Sequence, residues 1–290
     1  MHHLIDQMIE PYHCKTNRDY KNALKEIIQE IALLGLSRSN FFNIAAFYGG
    51  SALRIFYKLD RFSEDLDFSL IEADDSFDIR IYCRAIETEL QSFGFDVQVL
   101  KREKKQLTGI ESAFIKGNTL IHLLKIDGLS SPLHGIHKNE KLHIKFEVDT
   151  TPPPGAEFEV NYNLNPIPYS VKLFSLPCLF AGKLHAVICR GWGNNRVKGR
   201  DLYDFIWFLS KSISVHLGYL ENRMKQTRHI KKEVCLTKNL LLELLQKRFQ
   251  NIDFDQVKSD ILPFVRDPFS LDVWSKDFFC GLLSKIKFYT

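Results

Sequence analysis

The 290-residue sequence contains no run of eighteen apolar residues, so no helical membrane span is expected. Its start, MHHLIDQMIEPYHCK, lacks the charged-then-apolar order of an export signal, and the expected setting is therefore the cytoplasm. A C-x-x-C pair is also missing. Six cysteines (Cys14, Cys83, Cys178, Cys189, Cys235, Cys280) are scattered along the chain, which argues against a zinc ribbon and a secreted disulfide scaffold and predicts reduced, mostly buried thiols. Without a G-K-[ST] loop a Walker-type ATPase is disfavoured. Without a nucleophile-elbow sequence there is no ground for naming a Ser-His-Asp triad. Internal repeats and low-complexity tracts are absent.

What is present is a chain that is 45% hydrophobic, long enough for a substantial core and for two domains. Charge is unevenly divided. Residues 1–170 carry 19 Lys+Arg against 24 Asp+Glu, a balance of −5, and residues 171–290 carry 20 against 11, a balance of +9. An acidic half joined to a basic one suits metal-holding carboxylates and a surface that receives polyanions, although solvated helix faces would give the same sums.

Periodicity organises the chain. Leu24, Ile27, Ile28, Ile31 and Leu34 predict an amphipathic helix over 19–34 that stops at Gly35. FFNIAAFYGG, SALRIFYKL and EDLDFSL then read as strand, turn and helix, and strand. A helix follows in FDIRIYCRAIETELQSFGF, and strands in FDVQVLKRE, SAFIKG, TLIHLLKID and LHIKFEVDT. PPPGAE stops the last of these. Beyond it, Ser175 and Pro177 open a helix over 176–190, and almost everything later reads as helix, including two shorter ones in the last forty residues. The expected organisation is an α+β fold: a mixed α/β domain over 1–165, then a helical domain over 166–290.

The chemistry concentrates in a few places. On a strand, residues two apart share a face, so Asp65 and Asp67 project together while Leu66 and Phe68 turn to the core. Adjacent carboxylates repel unless a cation sits between them, and a hard divalent ion such as Mg²⁺ fits oxygen ligands and leaves positions for phosphates. Upstream, Gly49 and Gly50 permit close backbone approach, and Ser51 stands at a helix start whose N–H groups attract anions. Each half alone is weak, since a D-x-D can be a solvated edge and Gly-Gly a plain turn. A further strand puts Lys145, Glu147 and Asp149 on one face, offering a third carboxylate to activate a hydroxyl or complete a two-metal site. Lys183 and Arg190 share a helix face. The loop GWGNNRVKGR adds Arg196, Lys198 and Arg200, suited to grasping phosphates. In the next helix Leu202, Phe205, Ile206 and Leu209 form the expected core stripe, with Asp201 and Asp204 on the other side near the positive end. His134, His137 and His143 have no metal-ligand context, and KREKK at 101–105 reads as a wet strand end or an RNA-phosphate contact.

Taken together, GGSALRIFYKLDRFSEDLDF, IKFEVD, AGKLHAVICR and KGRDLYDF resemble the AbiEii/AbiGii group of nucleotidyltransferase toxins, related to the MenT toxins. The blocks span roughly residues 47–210 in the family's order. The resemblance implies a polymerase-β-like nucleotidyltransferase domain followed by a helical C-terminal domain, using Mg²⁺ in a two-ion site and a nucleoside triphosphate. It implies Gly49, Gly50 and Ser51 at the triphosphate, Asp65 and Asp67 on metal, and Glu147 as third carboxylate with Lys145 and Asp149 beside it; Asp149 can stand in for Glu147. Lys183 would meet the phosphates, and Arg200, Asp201 and Asp204 match the R-D-x-x-D block. It further implies transfer of NMP to an acceptor, with the tRNA 3′ end as the leading class, and a transcriptional-regulator-like antitoxin as partner; a monomer is the default expectation, which the resemblance does not decide. Two rivals share these residues: transfer to a protein or small molecule, and a catalytically silent nucleotide- or RNA-binding module.

Overall fold

The computed structural model describes residues 2–102, 109–118, 140–191 and 197–289. The strand expected at 119–127, positions 103–105 of the basic run, and His134, His137 and Arg196 lie outside them. The chain falls into two units. One takes Met1–Lys58, Phe62–Pro152 and Glu159–Leu173; the other takes Leu59–Arg61, Pro153–Phe158 and Phe174–Thr290.

In the first unit, an N-terminal helix α1 (His2–Ile9), not foreseen from sequence, precedes α2 (Asn17–Arg38). Thr16 and Asp19 close a capping box at the start of α2, each side chain accepting the other's backbone N–H, which satisfies two donors that a helix end leaves open. Leu24, Ile27, Ile28, Ile31 and Leu34 are buried as their spacing predicts. The helix does not stop at Gly35. A Cβ there would lie 2.9 Å from Glu89 Cβ and 3.0 Å from the Ala85 carbonyl, so the glycine serves close packing against α4 (Arg80–Ser92), and that packing offsets the roughly 1 kcal/mol a glycine costs inside a helix.

The strand-turn-helix-strand order appears as β1 (Ala45–Tyr48), α3 (Gly49–Tyr57) and β2 (Leu66–Leu70). With β3 (Val97–Lys101), β4 (Ile110–Asn118), β5 (Lys141–Asp149), β6 (Phe158–Asn163) and β7 (Tyr169–Phe174), they make a seven-stranded mixed sheet ordered β3-β4-β5-β2-β1-β7-β6. β2 runs parallel to β5 and β1 parallel to β7, while β1–β2, β3–β4 and β4–β5 are antiparallel. Strands β6 and β7 were not anticipated, because the prolines around them read as connecting chain. Yet Tyr169, Val171 and Leu173 alternate inward at the period of a strand. One sheet face is sealed: Leu66, Phe68, Ile144, Phe146 and Val148 share a core with Leu24, Ile27 and Ile31, and the Phe68 ring meets Phe41 and Phe146 edge-on at 5.1 and 5.4 Å.

The second unit is mostly helical: α5 (Leu176–Cys189), α6 (Gly199–Ser210), α7 (Leu217–Gln226), α8 (Lys238–Gln250), α9 (Phe254–Ile261) and α10 (Lys276–Leu282). α9 and α10 are the two short helices expected near the end. A small parallel pair, β8 (Ser214–His216) and β9 (Lys287–Tyr289), was not. Ser175 caps α5 by position with Pro177 in the first turn, but its hydroxyl makes no cap hydrogen bond. The stripe expected on α6 is wider than predicted. Leu202 and Phe205 are buried, Trp207 and Phe208 join them, Ile206 and Leu209 are only half-buried, and Asp201 and Asp204 face inward. Among the described residues no helix is long and apolar enough to cross a membrane. All six cysteines are free; Cys83, Cys178 and Cys189 are buried, Cys14 and Cys280 half-buried, and Cys235 exposed.

Candidate active site

Strand register builds the first part of the site. Asp67 on β2 lies opposite Glu147 on parallel β5 and opposite Tyr48 on antiparallel β1, and Glu147 in turn lies opposite Ser112 on β4. Partners in register share a sheet face, so Tyr48, Asp67, Glu147 and Ser112 form one row across four strands, with neighbours about 4.8 Å apart. Asp65 stands two residues before Asp67, just ahead of β2, and belongs to the same face. Asp65, Asp67 and Glu147 are half-buried, whereas the opposite face is fully closed. The Ser112 hydroxyl donates to Glu147 at 2.7 Å, and Lys145 pairs with the other Glu147 oxygen at 2.5 Å. Asp149 differs. It is buried at the far end of β5, opposite Ser69 and Ile110, and accepts the Thr151 N–H at 3.1 Å.

The glycine turn is fitted to this row. Gly49 has φ +85°, a conformation that L side chains avoid, and a Cβ there would fall 2.7 Å from Asp67 Oδ2. Missing that atom, the first turn of α3 lies against the Asp67 carboxylate. Tyr48 at the cap position supplies no side-chain hydrogen bond to the helix. Ser51 is fully buried; its hydroxyl donates to the Asp65 carbonyl, and Gln29 Nε2 reaches it at 3.5 Å. The side chain thus positions Asp65, and what Ser51 offers an anion is its backbone N–H. The donor chemistry of the row, carboxylates on one sheet face beside a helix start, fits a hard divalent cation such as Mg²⁺.

The family described as "Nucleotidyl transferase AbiEii toxin, Type IV TA system" matches residues 31–279. The chain belongs to the AbiEii family. It is therefore a nucleotidyltransferase of a toxin–antitoxin system, with a nucleoside triphosphate as substrate and an antitoxin as partner. Two solved Helicobacter pylori structures are similar. JHP933 is 17% identical, with a TM-score of 0.46 over 91% of this chain and 94% of that one. A protein described as a candidate nucleotidyltransferase is 17% identical, with a TM-score of 0.45 over 89% of each chain. No curated protein matches.

The second unit of this AbiEii chain collects the remaining expected residues around two buried carboxylates. Asp204, wholly buried, receives Arg61 through Nε and a terminal nitrogen, both at 2.6 Å, and Lys183 at 2.7 Å. Burial alone would raise its pKa, but Arg61 and Lys183 outweigh that and hold it below the ordinary value. Asp201 pairs with Arg190 and lies 3.8 Å from Lys183. Lys183 on α5 and Arg190, the residue just past its end, thus reach the carboxylates on the inward side of α6, Lys183 both of them and Arg190 Asp201. The Arg200 guanidinium lies 4.5 Å over the Phe264 ring. His143 is exposed on β5 and stacks near Phe114, with ring centroids 4.4 Å apart.

Sequence reasoning missed Arg61, Tyr48 and Ser112. Arg61 pairs with a residue 143 positions away, and no local pattern signals such a contact. Tyr48 and Ser112 become neighbours of the carboxylates only through strand register, which the hydrophobic alternation constrains without naming the partner strand.

Proposed function

We propose that this chain is an Mg²⁺-dependent enzyme that moves a nucleoside monophosphate from an NTP to a hydroxyl of RNA, with the tRNA 3′ end as acceptor, in the cytoplasm and as a monomer. The observation that carries the reading is the carboxylate row: Asp67 directly opposite Glu147, with Gly49 held against Asp67. Asp65 and Asp67 are the residues to hold Mg²⁺, with Glu147 as third carboxylate; when bound, the ion neutralises phosphate charge and orients the triphosphate. The N–H groups of Gly50 and Ser51, at the start of α3, bind phosphate oxygens. Glu147 accepts the proton as the acceptor oxygen bonds to the α-phosphorus, the bond to the β-phosphate oxygen breaks, and pyrophosphate leaves. Ser112 and Lys145, each bonded to one of its oxygens, keep Glu147 aimed. Asp149, enclosed at the strand end, supports the backbone. Lys183 offsets charge on the departing pyrophosphate, with Asp201, Asp204 and Arg61 orienting it. Arg200 serves the phosphates less directly. The balance of +9 over residues 171–290 suits an RNA acceptor.

The test incubates the purified chain with total tRNA, Mg²⁺ and each α-³²P-labelled NTP in turn, beside Asp67→Asn and a chelator control. Label on tRNA from one NTP, absent from both controls, is expected. Label on a protein or small molecule instead would overturn the RNA reading, and label unaffected by Asp67→Asn would overturn the assigned site.

A further inference from the structure

A second group of donor side chains lies in the helical unit and takes no part in nucleotidyl transfer as proposed. His185 and Cys189 are one turn apart on α5, so both project from the same face. His229 comes from the turn after α7. Metal-capable atoms of the three lie within 4.8 Å of one another, and Cys189 is buried while both histidines are half-buried. The two imidazoles stand at 86° with centroids 5.8 Å apart. Each turns one nitrogen to the same oxygen: Thr227 Oγ1 lies 2.9 Å from His185 Nε2 and 2.8 Å from His229 Nδ1. That hydroxyl is itself anchored by donating to the Arg223 carbonyl at 2.9 Å. The rings are therefore held in place rather than free to turn away.

We propose that His185, Cys189 and His229 form a zinc site that staples the turn after α7 to α5. A thiolate and two imidazoles are the borderline-soft donors that Zn²⁺ prefers, and three protein ligands leave a fourth position for water. Mg²⁺ takes oxygen ligands, so this sulfur and nitrogen donor set selects a metal bound through nitrogen and sulfur instead. Binding releases the Cys189 thiol proton to solvent and forms the metal–sulfur bond in its place. Because α5 also carries Lys183, the staple fixes the helix on which that lysine rides.

The experiment titrates Co²⁺, then Zn²⁺, into full-length protein freed of metal with chelator. One cobalt per chain is expected, with thiolate-to-cobalt absorption in the near ultraviolet and the intense visible bands of tetrahedral coordination. Cys189→Ser should abolish the ultraviolet band, and His229→Gln, a milder change on a half-buried turn, should abolish tetrahedral binding with the fold checked by circular dichroism. Cys235→Ser, which removes the exposed thiol, should leave both signals intact. Zn²⁺ should raise the melting temperature of wild type and Cys235→Ser but not of His229→Gln. No band in folded wild type at stoichiometric cobalt, or a band that survives Cys189→Ser, would overturn the assignment.

Discussion

Replacing Asp204 by Asn keeps the side-chain shape and removes one charge from a place that water does not reach. Arg61 is 2% exposed and Lys183 13%, so two buried cations would then lose the carboxylate they share, with Asp201 still 3.8 Å from Lys183. Breaking a buried ion pair by deleting one partner costs about 3–5 kcal/mol, and a unit of this size shifts by roughly 3–5 °C per kcal/mol. The expected loss is therefore about 4 kcal/mol, or about 12–20 °C. Trp207 and Trp274 are buried in the same unit, so tryptophan fluorescence during denaturant unfolding reports it directly. Arg61→Met should rescue part of the loss when added to Asp204→Asn, because it removes the stranded charge. The coupling in that double-mutant cycle should be about 1–3 kcal/mol. Acidity supplies a second arm. Asp204 is held below its ordinary 3.8, so its contribution is present above that pH and is lost as pH falls through the depressed native value. Wild type should lose this increment in strong acid and the Asn variant should not. A cost under about 1 kcal/mol, or strict additivity with Arg61→Met, would refute the account of a charge-balanced buried cluster.

Asp65→Asn and Asp67→Asn should each lower single-turnover transfer by about a thousandfold or more, the rate equivalent of several kcal/mol of lost charge stabilisation, while melting curves stay close to wild type; near-normal rates would remove both from the site. Gly49→Ala forces a methyl to 2.7 Å from Asp67 Oδ2 at φ +85° and should cost about 1–2 kcal/mol from the backbone alone together with most activity; a fully active, stable Ala variant would show that the turn does not fit closely against the carboxylate. Glu147→Gln should lower kcat with little effect on unfolding, whereas Asp149→Asn should lower stability more than kcat; the reverse pattern would make Asp149 the third carboxylate. Burial and the nearby Glu26 push Glu30 up to about 8 from 4.5, so its native contribution is complete below 4.5 and disappears as pH rises to about 8. Glu30→Gln should flatten that decline and gain about 1–3 kcal/mol at neutral pH, and parallel stability–pH profiles for the two proteins would contradict it.

Elements with a strong local signature were legible in the sequence. The helix around Leu24–Leu34, the β1-α3-β2 passage and the alternation of β5 follow from hydrophobic period, which reports which face a residue takes within its own element. The D-x-D and the third carboxylate could be placed on wet strand faces for the same reason. That Asp67 stands opposite Glu147 and not another residue is set by pairing, and pairing is a property of two distant segments. Gly35 misled because a glycine that permits two helices to touch has the same letter as one that ends a helix. Asp201 and Asp204 were expected on the side of their helix opposite the core stripe; Arg61, Lys183 and Arg190 make their burial tolerable, and Arg61 carried no local sign of that role. β7 was hidden by the prolines ahead of it, although its alternation of Tyr169, Val171 and Leu173 was in plain view.

The parallel pairing of β2 with β5 also sets a timetable. Asp67 and Glu147 are register partners eighty positions apart, and β1, which carries Tyr48 to the row, has β7 as its other neighbour. A ribosome adding about 5–20 residues per second needs roughly 4–16 s after the second aspartate before the opposing glutamate is even made, and longer before its strand clears the exit tunnel and inserts. During that interval the nascent chain carries its glycine turn and D-x-D but no completed row. With this row as the proposed catalytic centre, an enzyme of a toxin system is born inactive, and the cell making it has until the sheet closes to have the antitoxin in place.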